Sequence, residues 1–284
     1  MDGPSAADSL HASLDEVRRL DHDRFLSLFF APASKRPALI ALYAFNAEIA
    51  RVREAVSEPM LGQIRLQWWR ETIEALSAGE ARGHEAAIAL AETRRLAPFS
   101  TDELVALIDA RERDLDETPF ESVEALDAYA EGTSSRLMSL AAFALAGQAA
   151  EASWAAIRPA GIAYALTGLL RALPLHASQG KLYLPLDLLR AHDIDPHRIF
   201  AGEMSEGLRY AIAEVAARAR MHLTESRWRR SGRVTLPALL PASLCDRYLD
   251  IMTAPDFDPF RQSTEVPAFL LQLRMFGRKL AGRI

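Results

Sequence analysis

The sequence has almost no cysteine, and this absence excludes several kinds of site. Cys245 is the single cysteine among 284 residues, so the chain can form neither an intrachain disulfide nor a zinc or iron–sulfur site built from clustered cysteines. A reducing compartment is therefore expected. Positive charge is also not in excess, since 33 Lys and Arg stand against 38 Asp and Glu. Nonspecific nucleic-acid binding relies on a basic field, so we predict no nucleic-acid partner.

Long apolar runs are missing as well. The longest ones, such as residues 139–147, fall well short of the roughly 20 residues that span a bilayer. Residues 1–21 carry acidic side chains and no apolar run, unlike a secretory or transit peptide. We therefore expect a cytoplasmic protein, with a peripheral position on the inner face of the membrane as the alternative.

Strand patterns and the common nucleotide-binding, catalytic and calcium-binding motifs are absent too. No run of alternating or β-branched residues is bounded by hairpin signals, and no Walker, dinucleotide, GxSxG, HExxH or EF-hand sequence occurs. Apolar residues instead follow the 3.6-residue period of an α-helix from end to end. The pattern predicts an all-α protein with helices at residues 10–20, 24–30, 37–56, 60–77, 84–96, 101–115, 123–146, 152–173, 185–192, 206–230, 237–253 and 266–281.

The chain also lacks any linker rich in Gly, Ser or Pro that would separate two halves, so a single domain is expected. We predict an N-terminal extension with a helix at residues 1–22 and a main helical domain at residues 23–255. A basic amphipathic helix at residues 256–284 is expected to pack on the same domain.

Six segments follow one another in the order and approximate spacing found in one known family. They are DRFLSLFFAPASKRPALIALYAFNAEIARVRE, LQWWRETIEAL, LIDARERDLD, YAEGTSSRLM, LTGLLRALPLHASQGKLYLP and ARARMHLTESR. Over residues 23–252 the chain thus resembles the squalene and phytoene synthase family. The resemblance implies an isoprenoid (terpenoid) synthase fold, which is a single-domain helical bundle.

Active members of that family carry two acidic motifs, D-D-x-x-D and D-x-x-E/D-D. Carboxylates at i and i+4 share one helix face, and two facing clusters hold the Mg²⁺ ions that clamp a diphosphate. Here the first motif falls on residues 50–54 and the second on residues 172–176, and Glu54 is the only acid left. Pro174 should also end or kink the helix that carries the second motif. We predict no metal, no cofactor and no confident catalytic residue at the degenerate positions Ala50, Arg51, Glu54, Ala172, Leu175 and His176.

The resemblance also suggests which side chains line the cavity of the fold. Arg51 allows two interpretations: its guanidinium grips a phosphate directly, or it pairs with Glu54 and neutralises a vestigial cavity, which is the favoured interpretation. His176 is interpreted as a structural histidine, because no second ligand lies at a suitable spacing. The candidate ligand-binding residues are Arg24, Phe25, Tyr43, Asn46, Arg51, Arg171 and Tyr183.

Within the family, the chain resembles a subgroup related to the mitochondrial complex I assembly factor that has a phytoene synthase fold. AFNAEIARVREAVSEPMLGQIRLQWW, ARERDLDETPF and LPLHASQGKLYLP carry this closer resemblance. It implies a non-catalytic protein that helps to assemble respiratory complex I through a protein partner. One alternative is an active head-to-head prenyltransferase that depends on Mg²⁺, which the lost motifs disfavour. The other is a carrier of a lipid or isoprenoid ligand, which the sequence leaves open.

The last predicted helix, within residues 266–284, has four cationic side chains and no acid. Such a helix either lies on an anionic membrane surface or closes the bundle, and packing is the first expectation. Residues 218–233 form a second basic segment, with six arginines and one acid, and are expected to be a solvated helix end. The apolar stripe of the last helix is Phe269, Leu273, Phe276 and Leu280, and its cations are Arg274, Arg278, Lys279 and Arg283.

Overall fold

A computed structural model of the chain describes residues 6–56, 58–80 and 83–284. The first five residues of the predicted N-terminal extension lie outside these ranges. Within the ranges the chain is helical and contains no strand, which confirms the all-α prediction.

Sixteen α-helices occur in the described residues. They are α1 Ala6–Leu20, α2 His22–Leu28, α3 Arg36–Ala50, α4 Pro59–Ser77, α5 Glu85–Thr93, α6 Thr101–Arg111, α7 Val123–Ala130, α8 Arg136–Ala146, α9 Trp154–Arg171, α10 Leu173–Ser178, α11 Leu186–Ala191, α12 Pro196–Phe200, α13 Glu206–Trp228, α14 Leu236–Leu239, α15 Cys245–Met252 and α16 Ala268–Ala281. A π turn, Glu131–Ser135, joins α7 to α8, and short 3₁₀ segments occupy Ala33–Lys35, Glu112–Leu115, Gly147–Ser153 and Leu240–Leu244.

Helix α9 lies in the core and packs along α13, with α7, α8 and α15 against its other sides. Gly161 allows α9 to approach the π turn, because a Cβ at this position would overlap the Cα of Ser135. The hydroxyl of Ser135 donates to the carbonyl oxygen of Arg158 at 2.6 Å, which fixes the two segments together. Helices α1, α3 and α5 pack against one another as a neighbouring group.

Two helix ends determine where the degenerate motifs lie. The predicted helix at residues 37–56 is too long, because the backbone leaves helical geometry at Arg51 (φ -98°, ψ 4°) and Val52 is buried in the turn that follows. Helix α9 ends at Arg171, and Pro174 lies in the first turn of α10. A proline lacks the N–H that continues a helix, so the predicted helix end near Pro174 is confirmed. The short helices α10 and α12 were not predicted.

Helix α16 packs on the bundle through one apolar face and leaves a second apolar face outward. Leu271 and Met275 are buried, and the helix contacts α2 and the Leu240–Leu244 segment. The predicted stripe points outward, with Phe269 70%, Leu273 56%, Phe276 52% and Leu280 68% exposed. A second apolar pair at i, i+4 spacing therefore closes the bundle, and the stripe seen in the sequence stays exposed.

The continuous helical stretch Val123–Arg171 contains an 18-residue window that is long and apolar enough to cross a membrane, and half of that window is buried inside the protein. It comprises α7, the π turn, α8, the Gly147–Ser153 segment and α9. The same composition is typical of buried core helices, and these residues supply the centre of the bundle.

Candidate functional site

A cavity of about 210 Å³ lies between α2, α6, the π turn, α9 and α10. Pockets for drug-sized ligands measure about 300–1,000 Å³, whereas one water molecule takes about 30 Å³ of liquid volume. The cavity therefore has room for several waters or a small ion in this conformation. None of the described side chains that line the cavity is a carboxylate. The lining residues are Arg24, Arg111, Tyr129, Thr133, Ser134, Leu137, Tyr164, Ala165, Gly168, Leu169, Ala172 and His176.

The second degenerate motif contributes two of these lining residues, Ala172 and His176. The imidazole of His176 lies 4.5 Å from the ring of Tyr183, measured between ring centroids. Burial lowers the pKa of His176 to about 4, so the side chain is uncharged at neutral pH. Leu175 is 49% exposed and does not line the cavity. His176 is thus a cavity residue rather than the loop-facing structural histidine expected from the sequence.

The first degenerate motif does not line this cavity. Arg51 lies in the turn after α3, where its Nε is 3.7 Å from Glu54 Oε2, as the favoured interpretation predicted. Its Nη1 is also 3.9 Å from Glu16 Oε1 of α1, a partner that sequence reasoning missed. Arg53 donates to the carbonyl oxygen of Val56 at 3.3 Å. The charged side chains of this turn therefore balance one another near α1.

These side chains do not fit the Mg²⁺ that the fold implies. Mg²⁺ requires near-octahedral oxygen ligands, usually one or two carboxylates together with substrate phosphates. The motif positions offer only the carboxylate of Glu54, which faces the guanidinium of Arg51. No group of three or more His, Cys, Asp or Glu side chains suited to a metal ion occurs in the part of the chain that the structure describes.

Acids do lie close to the cavity, but each is bound to a cation or a hydroxyl. Asp21 caps α2 by accepting from the backbone N–H of Arg24, and it forms an ion pair with the Arg24 guanidinium. Asp23 accepts from Arg171 Nη1 at 3.1 Å and from Tyr248 Oη at 2.8 Å. Burial raises the pKa of Asp23 despite both of these contacts.

Asp114 is the centre of a second buried network. Its carboxylate accepts from Tyr129 Oη at 2.6 Å, from Tyr183 Oη at 2.7 Å and from Arg111 Nη1 at 3.3 Å. Lys181 donates to the carbonyl oxygen of Asp114 at 3.1 Å, and burial lowers the pKa of its ammonium group. Sequence reasoning missed this network, although the ARERDLD segment and the Tyr183 region had both been singled out.

The structure brings only one of the seven predicted ligand-binding residues, Arg24, to the cavity wall. Its guanidinium lies 4.7 Å from the Tyr164 ring centroid and 5.8 Å from that of Tyr43. The other six do not line this cavity, because they are engaged elsewhere or packed behind it. Tyr43 and Asn46 are buried in α3, Phe25 packs against Phe29, Arg171 binds Asp23, Tyr183 binds Asp114, and Arg51 faces α1.

Comparisons with known proteins identify the family. Residues 17–272 match the family model described as squalene/phytoene synthase. The chain is 30% identical over 276 residues to NADH dehydrogenase (ubiquinone) complex I, assembly factor 6 of Homo sapiens, covering 96% of this chain and 83% of that protein. It is 24% identical over 262 residues to 15-cis-phytoene synthase of Synechococcus elongatus, covering 86% of this chain and 84% of that protein.

Comparison with solved structures gives a fold consistent with this family. The structure matches a crystal structure of a dehydrosqualene synthase in complex with ligand with a TM-score of 0.80 and 15% sequence identity, over 97% of this chain and 98% of that chain. The predicted isoprenoid synthase bundle and the resemblance to the assembly-factor subgroup are both confirmed. The family model covers most of the chain, and we conclude that the chain belongs to the squalene/phytoene synthase family.

Proposed function

We propose that the protein helps to assemble respiratory complex I and does not transfer prenyl groups. The observation that carries the proposal is the loss of both acidic clusters from a helical bundle that retains the fold of the family. Glu54 is the one carboxylate left at the motif positions, and it faces Arg51 outside the cavity. The similarity to an assembly factor over 96% of the chain supports the assembly role.

The rival function is a head-to-head prenyltransferase that depends on Mg²⁺. Ionising an allylic diphosphate requires carboxylates that hold the metal ions against the leaving group. At an effective dielectric constant near 20, each carboxylate about 4 Å from a divalent ion contributes several kcal/mol of attraction. The described cavity wall carries two guanidiniums and no carboxylate that could hold a metal ion. This set of side chains disfavours the prenyltransferase.

Deletion of the gene separates the two functions. We expect the deletion strain to lose NADH:quinone activity and assembled complex I while its squalene-like and carotenoid products stay unchanged. The purified protein should release no pyrophosphate from farnesyl or geranylgeranyl diphosphate with Mg²⁺ above a heat-killed control. Chelator-sensitive pyrophosphate release, or loss of isoprenoid products with intact complex I, would establish the prenyltransferase instead.

A second candidate function, a carrier of an anionic lipid or isoprenoid ligand, is supported by the chemistry of the cavity wall, which in this conformation has room for the phosphate end of such a ligand. Arg24 and Arg111 both line it, and the Nε of Arg111 is buried without a hydrogen-bond partner in the described protein. Guanidinium groups bind phosphate without a metal. Inorganic pyrophosphate in the presence of EDTA should then raise the melting temperature, and Arg111→Gln should remove the rise. An unchanged melting temperature would eliminate the carrier.

The proposed site of action is the cytoplasmic face of the membrane, reached through α16. The three cations of α16, Arg283 just after it and the exposed apolar stripe favour contact with an anionic bilayer. Sedimentation of the full chain with anionic vesicles tests this contact. We expect Leu273→Gln together with Phe276→Gln to abolish sedimentation, whereas equal sedimentation of the variant and the unchanged chain would refute it.

A further inference from the structure

The end of α13 and the loop after it lie beside the C-terminal end of α16. Arg227 at the end of α13 donates to the carbonyl oxygen of Ile284 at 3.3 Å. A Cβ built at Gly282 would lie 3.5 Å from the Nε of Arg233. The fold thus joins residues 227–234 and residues 266–284 into one region, although some 30 residues separate them in the chain.

This region carries far more positive than negative charge. The two segments contain eight cationic side chains and no acid. Asp246 is shared among three of them, since its Oδ2 lies 2.6 Å from Arg227 Nη2, 2.7 Å from Arg274 Nη2 and 3.9 Å from Arg278 Nη2. Burial, and after it the neighbouring guanidiniums of Arg227 and Arg274, lower the pKa of Arg278.

Two arginines of the loop after α13 extend this field into solvent. Arg230 and Arg233 are exposed, and neither forms an ion pair with any residue in the described ranges. Arg229 is partly balanced, because Glu225 Oε1 lies 3.6 Å from its Nη2. The loop therefore presents guanidiniums that are free to bind an external anion.

The end of α13 and the loop after it carry exposed apolar side chains. Trp228 is 84% exposed and Val234 is 56% exposed, and the outward stripe of α16 is more than half exposed throughout. An indole has an apolar body and one N–H donor, so it prefers the boundary between hydrocarbon and water. Large apolar side chains among unpaired cations favour a partner with both an apolar interior and a negative surface, which describes an anionic bilayer better than an acidic protein face.

We propose that residues 228–234 and the outward face of α16 form one membrane-contact surface, in which Trp228 is the interfacial anchor and Arg230 and Arg233 bind lipid phosphates. We call it the two-segment surface. The inference rests on the proposed contact of α16 with the membrane and adds a second segment, a chemical role for each residue and the class of lipid. The ligand is the phosphate headgroup of an anionic phospholipid.

The test uses the full chain with phosphatidylcholine vesicles containing about 30% phosphatidylglycerol. Each surface arginine near such a bilayer is worth about fivefold in affinity, so Arg230→Gln with Arg233→Gln should weaken binding by roughly 25-fold. Trp228→Phe should remove the fluorescence quenching by brominated lipids, while the matched control Trp154→Phe, at an exposed tryptophan outside the surface, should keep it.

The outcomes separate the inference from the proposal on which it rests. Failure of the unchanged chain to bind the anionic vesicles would overturn both. Binding that needs the α16 stripe but is unaffected by the Arg230 and Arg233 changes, or quenching that survives Trp228→Phe, would overturn only the two-segment surface. Equal binding to vesicles of pure phosphatidylcholine would overturn the role of lipid phosphate. Circular dichroism of every variant should match the unchanged chain, since the substituted side chains are exposed.

Discussion

The two positions at which the family carries acidic motifs have lost their carboxylates in different ways. After α3, the turn keeps charged side chains, and Arg51 pairs with Glu54 and with Glu16. Around the start of α10, Ala172 and His176 lie against the cavity. Alanine carries no charge, and burial lowers the pKa of His176 to about 4, so its imidazole is uncharged at neutral pH.

The difference follows from exposure. The side chain of Arg51 is 38% exposed, so water and neighbouring carboxylates stabilise its charge at little cost. A new charge at the cavity wall would have to leave water without a partner, unlike Arg24 and Arg111, which are paired with Asp21 and Asp114. An unpaired buried charge costs far more than a surface ion pair gains. The two positions should therefore respond very differently to the same new carboxylate.

The largest effect is expected from a carboxylate at the cavity wall. His176→Asp would bury a negative charge in the field of Asp114, and we expect it to lower the free energy of unfolding by about 2–3 kcal/mol at pH 7.5. Urea unfolding measures this loss. The neutral variant His176→Asn should cost less than about 1 kcal/mol, and equal losses for both variants would contradict the charge argument. Neither variant should gain Mg²⁺-dependent release of pyrophosphate, because the acidic cluster at residues 50–54 would still be missing.

An intermediate effect is expected at Glu16, the acid of α1 that faces Arg51. Burial and a hydrogen bond with Glu48 raise the pKa of Glu16 to about 7, while the pKa of Glu48 is lowered, first by its hydrogen bond with His84. A raised carboxyl pKa means that the folded state binds the proton more tightly. This contribution to stability is therefore complete below the reference pKa of 4.5 and is lost as pH rises through about 7.

Because Glu16 is partly exposed and the opposite shift of Glu48 offsets part of the effect, we expect a net loss of about 1 kcal/mol between pH 4.5 and pH 7.5. Glu16→Gln cannot titrate and should flatten this part of the pH profile, measured by urea unfolding at several pH values. Glu117→Gln, at an exposed acid that forms no ion pair with the described residues, is the control and should leave the profile unchanged. If the stability of Glu16→Gln still falls with pH as steeply as that of the unchanged chain, the raised pKa of Glu16 is refuted.

The smallest effect is expected at Arg51 itself. Its two contacts are long, at 3.7 and 3.9 Å, and lie at the surface, so Arg51→Gln should change the free energy of unfolding by less than about 1 kcal/mol. The change should shrink further in high salt, because surface charges are screened. A salt-independent loss above 2 kcal/mol would mean that Arg51 is as tightly held as the residues of the cavity wall.

Local sequence features predicted much of the secondary structure. The Oγ of Ser122 accepts from the backbone N–H of Ala125 and begins α7 as an N-cap, and Pro174 marks the end of α9, because both effects act within one helical turn. The end of α3 was missed because the 3.6-residue pattern continues through Val52, which is buried in the turn after the helix. The apolar pattern of α16 fits two faces, so it does not show which face packs.

The loss of carboxylates from the motif positions was predictable, but most of the cavity lining and its contacts were not. The sequence by itself determined the helical class, the family and the loss of carboxylates, because each depends on which residue occupies a position. Tertiary structure alone decided which charges meet. Asp23 is bound by Arg171 and Tyr248, far away in the chain, and Arg227 donates to the carbonyl oxygen of Ile284 after α16. Helical periodicity reports only neighbours within a few turns, whereas contacts between distant helices depend on how the whole core packs.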